Sequence, residues 1–237
     1  MISPVSFGST YKIHSQNLGD DANRKKHFNV MDYCDKQGID IRTEESWGEQ
    51  KSPISIPEYS VKTTIIAPDS QDKNLEAFFD VMGINFKKHS TEDLMNPKAI
   101  EKRVMDAPKG MRTVKIDPDK LFSLIDKQPI NNIEHCESDY KTYYKDNTDF
   151  MLKSGDEIPA TTLYLNPFMG TEKALEYLKR FGEDTMNRDS MSVDFSQRTD
   201  DPDHCMFFAM IDAGLSEVPV YVDKDSYAVG KAMGLFC

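Results

Sequence analysis

Along this chain, short stretches in which apolar and polar residues alternate give way to stretches with helical spacing, and the switch recurs. Residues 63–86 (TTIIAPDSQDKNLEAFFDVMGINF), 112–128 (RTVKIDPDKLFSLIDKQ), 161–182 (TTLYLNPFMGTEKALEYLKRFG) and 218–236 (VPVYVDKDSYAVGKAMGLF) all follow it. Each begins as a β-run, breaks at Asp, Pro or Asn, continues as an amphipathic helix and stops at Gly or Lys-Gln. Such punctuation predicts repeated strand–helix units. It specifies an architecture and no chemistry.

The same logic extends to the start of the chain. Phe7, Tyr11 and Ile13 fall on one face of a period-two run over 6–13, so residues 4–13 read as a strand. Gly19-Asp20-Asp21 supplies a turn and a cap, and residues 22–37 follow as a helix with Phe28, Met31 and Cys34 near one face and Val30 beside it. Gly38 stops that helix, and residues 39–42 form a short strand. Residues 44–57 are polar, hold two prolines and the sole tryptophan, Trp47, and read as a connection.

A strand over 58–67 leads into a helix for which Asp69, Ser70 or Asp72 is the expected cap. Leu75, Phe78, Phe79 and Met82 make its apolar stripe at i, i+3, i+4, i+7. Gly83 and Ile84 suit a Schellman end, and the next strand fades into Lys87-Lys88-His89. Residues 90–105 read as helix interrupted at Pro97. Asp117-Pro118 starts another helix, with Leu121, Phe122 and Ile125 buried. Residues 130–136 are expected to return as a strand and 137–158 to form a polar surface helix. Strands are also expected at 160–165, 191–195, 205–211 and 218–222, with helices over 171–181 and after Asp223.

Two β–α–β units in succession give β–α–β–β–α–β, the ferredoxin-like split motif, and residues 4–89 fit that order. The expected class is α+β. It comprises residues 1–90 as one half, 91–110 as a connecting helical segment, and 111–237 as a second half with a polar helical insertion at 137–159. The competing arrangement is a single layered α/β domain. It would need longer and more uniformly apolar strands than Arg112-Thr113-Val114-Lys115-Ile116, which alternates.

Charge narrows the function. Forty acidic against 29 basic residues give a formal net charge of −11, and Arg24-Lys25-Lys26 is too short to form a nucleic-acid footprint. Nucleic acid is therefore not an expected partner. Membrane is not expected either, because the chain has no apolar run of ~18 residues. The opening MISPVSFGSTYKI lacks the basic and apolar regions of a secretion signal. Four scattered cysteines, Cys34, Cys136, Cys205 and Cys237, with no CxxC, point to a reducing, cytoplasmic setting.

No P-loop, GxGxxG, HExxH or GxSxG occurs. The densest chemistry is Asp200, Asp201, Asp203, His204 and Cys205, matched by a second His-Cys pair at His135 and Cys136. Carboxylates suit a hard divalent cation and imidazole a transition metal, so His135 and His204 could supply ligands from two strand ends. The spacing matches no structural zinc pattern. An acidic turn followed by a cysteine buried as a small hydrophobe accounts for the same residues. A thiol nucleophile at Cys205 or Cys136 is disfavoured by its acidic neighbours, which raise a thiol pKa.

Tyr140, Tyr143 and Tyr144 form either a contact patch or the core side of a helix. Trp47, if exposed, is a candidate anchor. These features support a non-enzymatic binding or protein-interaction protein for a protein or small molecule. The alternatives are a metal-assisted hydrolase or other enzyme using the cluster at residues 201–205 with His135, and a self-assembling structural component pairing through sheet edges.

Overall fold

The first alternating run becomes β1 (Ser9–Asn17) in a computed structural model that describes residues 8–48, 58–125, 132–165, 193–195 and 205–236. Around it the chain is mixed α+β with two sheets, and it divides into two units. The first runs to Met95 and includes Lys153–Gly155. The second comprises Asn96–Leu152 and the residues from Asp156 on.

The first unit follows β1 with α1 (Asp21–Gln37), β2 (Asp40–Trp47), β3 (Tyr59–Ala67), α2 (Asp69–Met82), β4 (Phe86–Ser90) and α3 (Thr91–Met95). Its sheet has the order β2-β3-β1-β4, and every neighbouring pair is antiparallel. Alternation on β3 buries Val61, Thr63, Ile65 and Ala67. Tyr11, Ile65, Leu75 and Phe79 are fully enclosed in one core with Val30, Cys34 and Ile84.

Helix ends in this unit follow the expected chemistry. Asp20 accepts a hydrogen bond from the Ala22 amide at 2.7 Å, and Gly38 adopts φ 64° so that Ile39 N–H can reach Cys34 O at 2.9 Å. Three expectations need correction. The buried face of α1 is His27, Val30 and Cys34 (i, i+3, i+7), which turns Phe28 outward to 61% exposure. At α2 the N-cap is Pro68 without a side-chain cap bond, and Asp72 instead accepts from Ser9 Oγ and pairs with Lys88. β2 also continues to Trp47, where residues 44–47 were expected to belong to a connection.

The second unit contains α4 (Pro97–Arg103), β5 (Arg112–Ile116), α5 (Pro118–Ile125), α6 (Ile133–Asp139), a π-helical turn (Tyr140–Tyr144), α7 (Lys145–Ser154) except its last two residues, β6 (Thr161–Leu165), β7 (Val193–Phe195), α8 (Met206–Asp212), β8 (Val218–Val222) and α9 (Lys224–Ala232). Its sheet order is β5-β8-β6-β7. β5–β8 and β6–β7 are antiparallel, and β6–β8 is parallel. All five residues of β8 are buried, as a central strand covered on both faces requires.

Two strands expected in this half are helices. Residues 133–139 bury Ile133 and Cys136, and the next turn adds Tyr140, so His135 lies on a helix and not at a strand end. Met206–Asp212 buries five consecutive residues, Met206 through Met210. A short apolar run buried on all sides carries no period that separates helix from strand. The helix expected over 171–181 lies outside the described residues. No helix among the described residues is long and apolar enough to cross a membrane.

Candidate functional site

β5 occupies one edge of the second sheet and pairs with β8 on its inner side, Arg112 opposite Val222 through Ile116 opposite Val218. Paired residues share a face, so Thr113 and Lys115 project with Tyr221 and Pro219, while Arg112, Val114 and Ile116 project to the other side. Different walls meet these two faces. On the first, the Tyr221 hydroxyl donates to Met105 O at 2.8 Å and Lys115 Nζ lies 2.8 Å from Glu101 Oε2. On the second, the Arg112 guanidinium lies 4.1 Å from the centre of the Tyr227 ring on α9.

Both walls are held firmly. Asn96 caps α4 by accepting from Lys98 N at 3.0 Å, with Pro97 at its first turn. At the far end of α4, Arg103 donates to Leu152 O at 2.8 Å and Asp156 O at 3.1 Å. The backbone then ties in through Ile158 N to Arg103 O and Met105 N to Ile158 O. On the other side Asp223 caps α9 by accepting from Ser226 N at 2.7 Å. Tyr227 stacks on Phe236 with ring centres 5.6 Å apart and planes 11° from parallel. Phe236 seats directly on the backbone of Gly230, where no side chain intervenes, and its own backbone bridges Ile116 antiparallel.

The space between these walls is a cleft of about 700 Å³ that contains all of Arg112, Thr113, Val114 and Lys115. Consecutive residues of a strand point to opposite faces, so a cleft lined by four in a row straddles the strand and has the strand edge as its floor. Arg112, Lys115 and Lys231 face Glu101 and Asp106 there. This is a local excess of positive charge in a chain whose net charge is −11. The size lies within the ~300–1,000 Å³ usual for ligand sites.

Two other polar clusters are built for holding charge. In the second unit Tyr140 OH donates to Asp212 Oδ2 at 2.8 Å, and Lys145 Nζ reaches that same oxygen at 2.5 Å and the phenol at 3.0 Å. Burial pushes the Tyr140 phenol up to about 12, and the hydrogen bonds to Asp212 and Tyr140 raise Lys145. Both groups stay protonated at neutral pH, so neither is a base. In the first unit Lys88 lies 2.8 Å from both Asp72 and Glu76. Ser9 donates to Asp72 at 2.6 Å and Tyr11 to Glu76 at 3.0 Å. Hydrogen bonds to Asp72 and then Glu76 raise Lys88, and burial raises Tyr11. This network pins α2 to β1 and β4.

The residues singled out from sequence are placed as follows. His135 is exposed on α6, 3.5 Å from Asp139. Asp200, Asp201, Asp203 and His204 lie outside the described residues. Cys136 and Cys205 are buried, with Cys205 Sγ 3.8 Å from Cys136 O. Burial, followed by the neighbouring Cys136 and Asp139, pushes Cys205 up to about 12. Among the described residues no group of three His, Cys, Asp or Glu side chains gathers as metal ligands would. Tyr140 is buried, Tyr144 half-buried and Tyr143 74% exposed. Trp47 is 65% exposed and stacks on Tyr59 at 4.5 Å.

Sequence reasoning missed Arg112, Tyr227 and Lys231. The available signal was an alternating strand with a cation at either end of its four polar-flanked residues, but nothing local marks such a strand as an edge. Compared with known proteins, the chain matches no family model, no curated protein and no solved structure.

Proposed function

We propose that this is a non-enzymatic binding protein whose second unit takes an anionic group in the cleft along β5. The observation that carries the reading is Arg112, whose guanidinium lies over the Tyr227 ring at 4.1 Å in a cleft that Lys231 also lines. A guanidinium stacked on an aromatic ring keeps its in-plane N–H donors free to fork onto a carboxylate or phosphate. The ferredoxin-like reading of the first unit is supported by its β–α–β–β–α–β succession and its antiparallel order β2-β3-β1-β4. On this reading that unit is scaffold, and a cytoplasmic setting fits the buried cysteines Cys34, Cys136 and Cys205.

The test is fluorescence anisotropy with a labelled oligoglutamate peptide. Saturable binding that weakens with salt, weakens at least about threefold in Arg112→Gln and is absent for oligolysine supports the reading. Binding that is absent, or is unchanged in both Arg112→Gln and Lys231→Gln, refutes it.

A further inference from the structure

We infer that the ligand of the cleft is an amphipathic zwitterion, with an acid group and an ammonium group at opposite ends of an apolar chain. This rests on the proposed anion-binding role of the same cleft and specifies the rest of the ligand's chemistry. Three features of the lining carry it.

The first is that its charges divide between the walls. Tyr227 and Lys231 are four residues apart on α9 and share a side of that helix, so Lys231 belongs to the wall on which Arg112 lies over Tyr227. Asp106 belongs to the opposite wall. The segment that carries it is fixed by the Tyr221 hydroxyl, which donates to Met105 O at 2.8 Å, and by Met105 N, which donates to Ile158 O at 2.9 Å. The second is that these charges are unanswered within the protein. Among the described residues, the side chains of Asp106 and Lys231 make no hydrogen bond or ion pair, and that of Arg112 makes only its contact with the Tyr227 ring. Glu101 and Lys115, by contrast, meet at 2.8 Å.

Opposite charges that line one cleft without touching leave the space between them to a ligand that bears both. A simple anion would gain from Arg112 and Lys231 but be opposed by Asp106, and a simple cation the reverse. The third feature is the hydrocarbon in the lining. Val104, Val114, Pro219 and Phe236 contribute it, together with Met105, which is 44% exposed. Methylene groups laid against these side chains leave water, and at about 700 Å³ the cleft is far larger than an acid group alone.

The experiment follows amide chemical shifts of the isotope-labelled full chain during titration with aminobutanoate, aminohexanoate and aminooctanoate, each aminated on its terminal carbon. The alkanoate and the alkylamine of each length are titrated alongside at constant ionic strength. At one length or more the zwitterion is expected to bind at least about threefold tighter than both of its counterparts, with shifts at Thr113, Val114 and Lys231. Asp106→Asn should remove its advantage over the alkanoate without weakening the alkanoate, and Arg112→Gln should weaken both. If alkanoates bind through Arg112 but the terminal ammonium adds nothing, or still adds as much in Asp106→Asn, the zwitterion is wrong and the anion site stands. Alkylamines that bind as tightly as the zwitterions would also overturn it, since the acid end would then contribute nothing. If no compound in the series binds, the inference fails, and the oligoglutamate titration decides separately whether the anion site stands.

Discussion

Gly230 lies inside α9 with no left-handed backbone requirement, so replacement by alanine would ordinarily stabilise the helix by about 1 kcal/mol. Here a methyl group at that position would sit 2.8 Å from Cε1 of Phe236 and closer still to Cε2 and Cζ. Carbon atoms need ~3.5–4.0 Å, so the ring must leave its seat. That forfeits the Tyr227 stack, worth about 0.5–1.5 kcal/mol, along with part of the burial of a phenylalanine, worth up to about 3 kcal/mol. Gly230→Ala should therefore lower stability by about 1–2 kcal/mol in the native background. In Phe236→Ala the ring is gone and the same substitution should raise stability by about 1 kcal/mol. Urea unfolding of the four proteins in this cycle reads both values. A stabilising Gly230→Ala of equal size in both backgrounds would refute the seating of Phe236 on α9, and with it the wall of the cleft.

Other consequences are open to measurement. Burial lowers the His27 pKa against the opposing influence of Glu45. The unfolded chain then takes up the proton first, so this contribution to stability is complete above about pH 6.5 and is lost as pH falls towards the folded value. Comparison of urea midpoints at about pH 7.5 and about pH 5.5 should show a smaller acid loss in His27→Gln than in the native protein, and equal losses would contradict the assignment. Asn132→Ala removes both partners of the buried Phe195 backbone, at a cost of about 1–3 kcal/mol for each group left unmade. Unfolding within about 0.5 kcal/mol of the native protein would show that the clip is dispensable.

Much of the first unit is legible in the chain because its signals are local. Asp20 and Gly38 bound α1, the Leu75–Phe79 stripe faces the core, and β3 alternates in burial as its residues alternate in polarity. Helix phase was harder to read: Phe28 looks buried until the sheet selects the face containing Val30. In the second unit, Met206–Met210 and Ile133–Cys136 are short runs whose period is masked by burial. The cleft is less legible still. Arg112 and Lys231 are far apart in sequence and line one cleft only because β5 becomes an edge with α9 beside it, a fact of strand order that no local pattern records. The same is true of Asn132, whose importance lies entirely in the backbone of Phe195. The clusters that stand out in the sequence, by contrast, are places where like residue types adjoin. Adjacency along a chain does not bring side chains to one point, and the three tyrosines of the π-helical turn range from buried to exposed.

The central proposal is that the cleft along β5, with Arg112 and Tyr227 on one wall and Lys115 and Glu101 on the other, takes an anionic group. Titration of isotope-labelled protein with the oligoglutamate peptide, followed by amide chemical shifts, tests it most directly. The account predicts the largest changes at Thr113, Val114 and Lys115, with smaller ones at Tyr227 and Lys231. Changes centred on Trp47 or Tyr143, with the β5 amides unmoved, would contradict it.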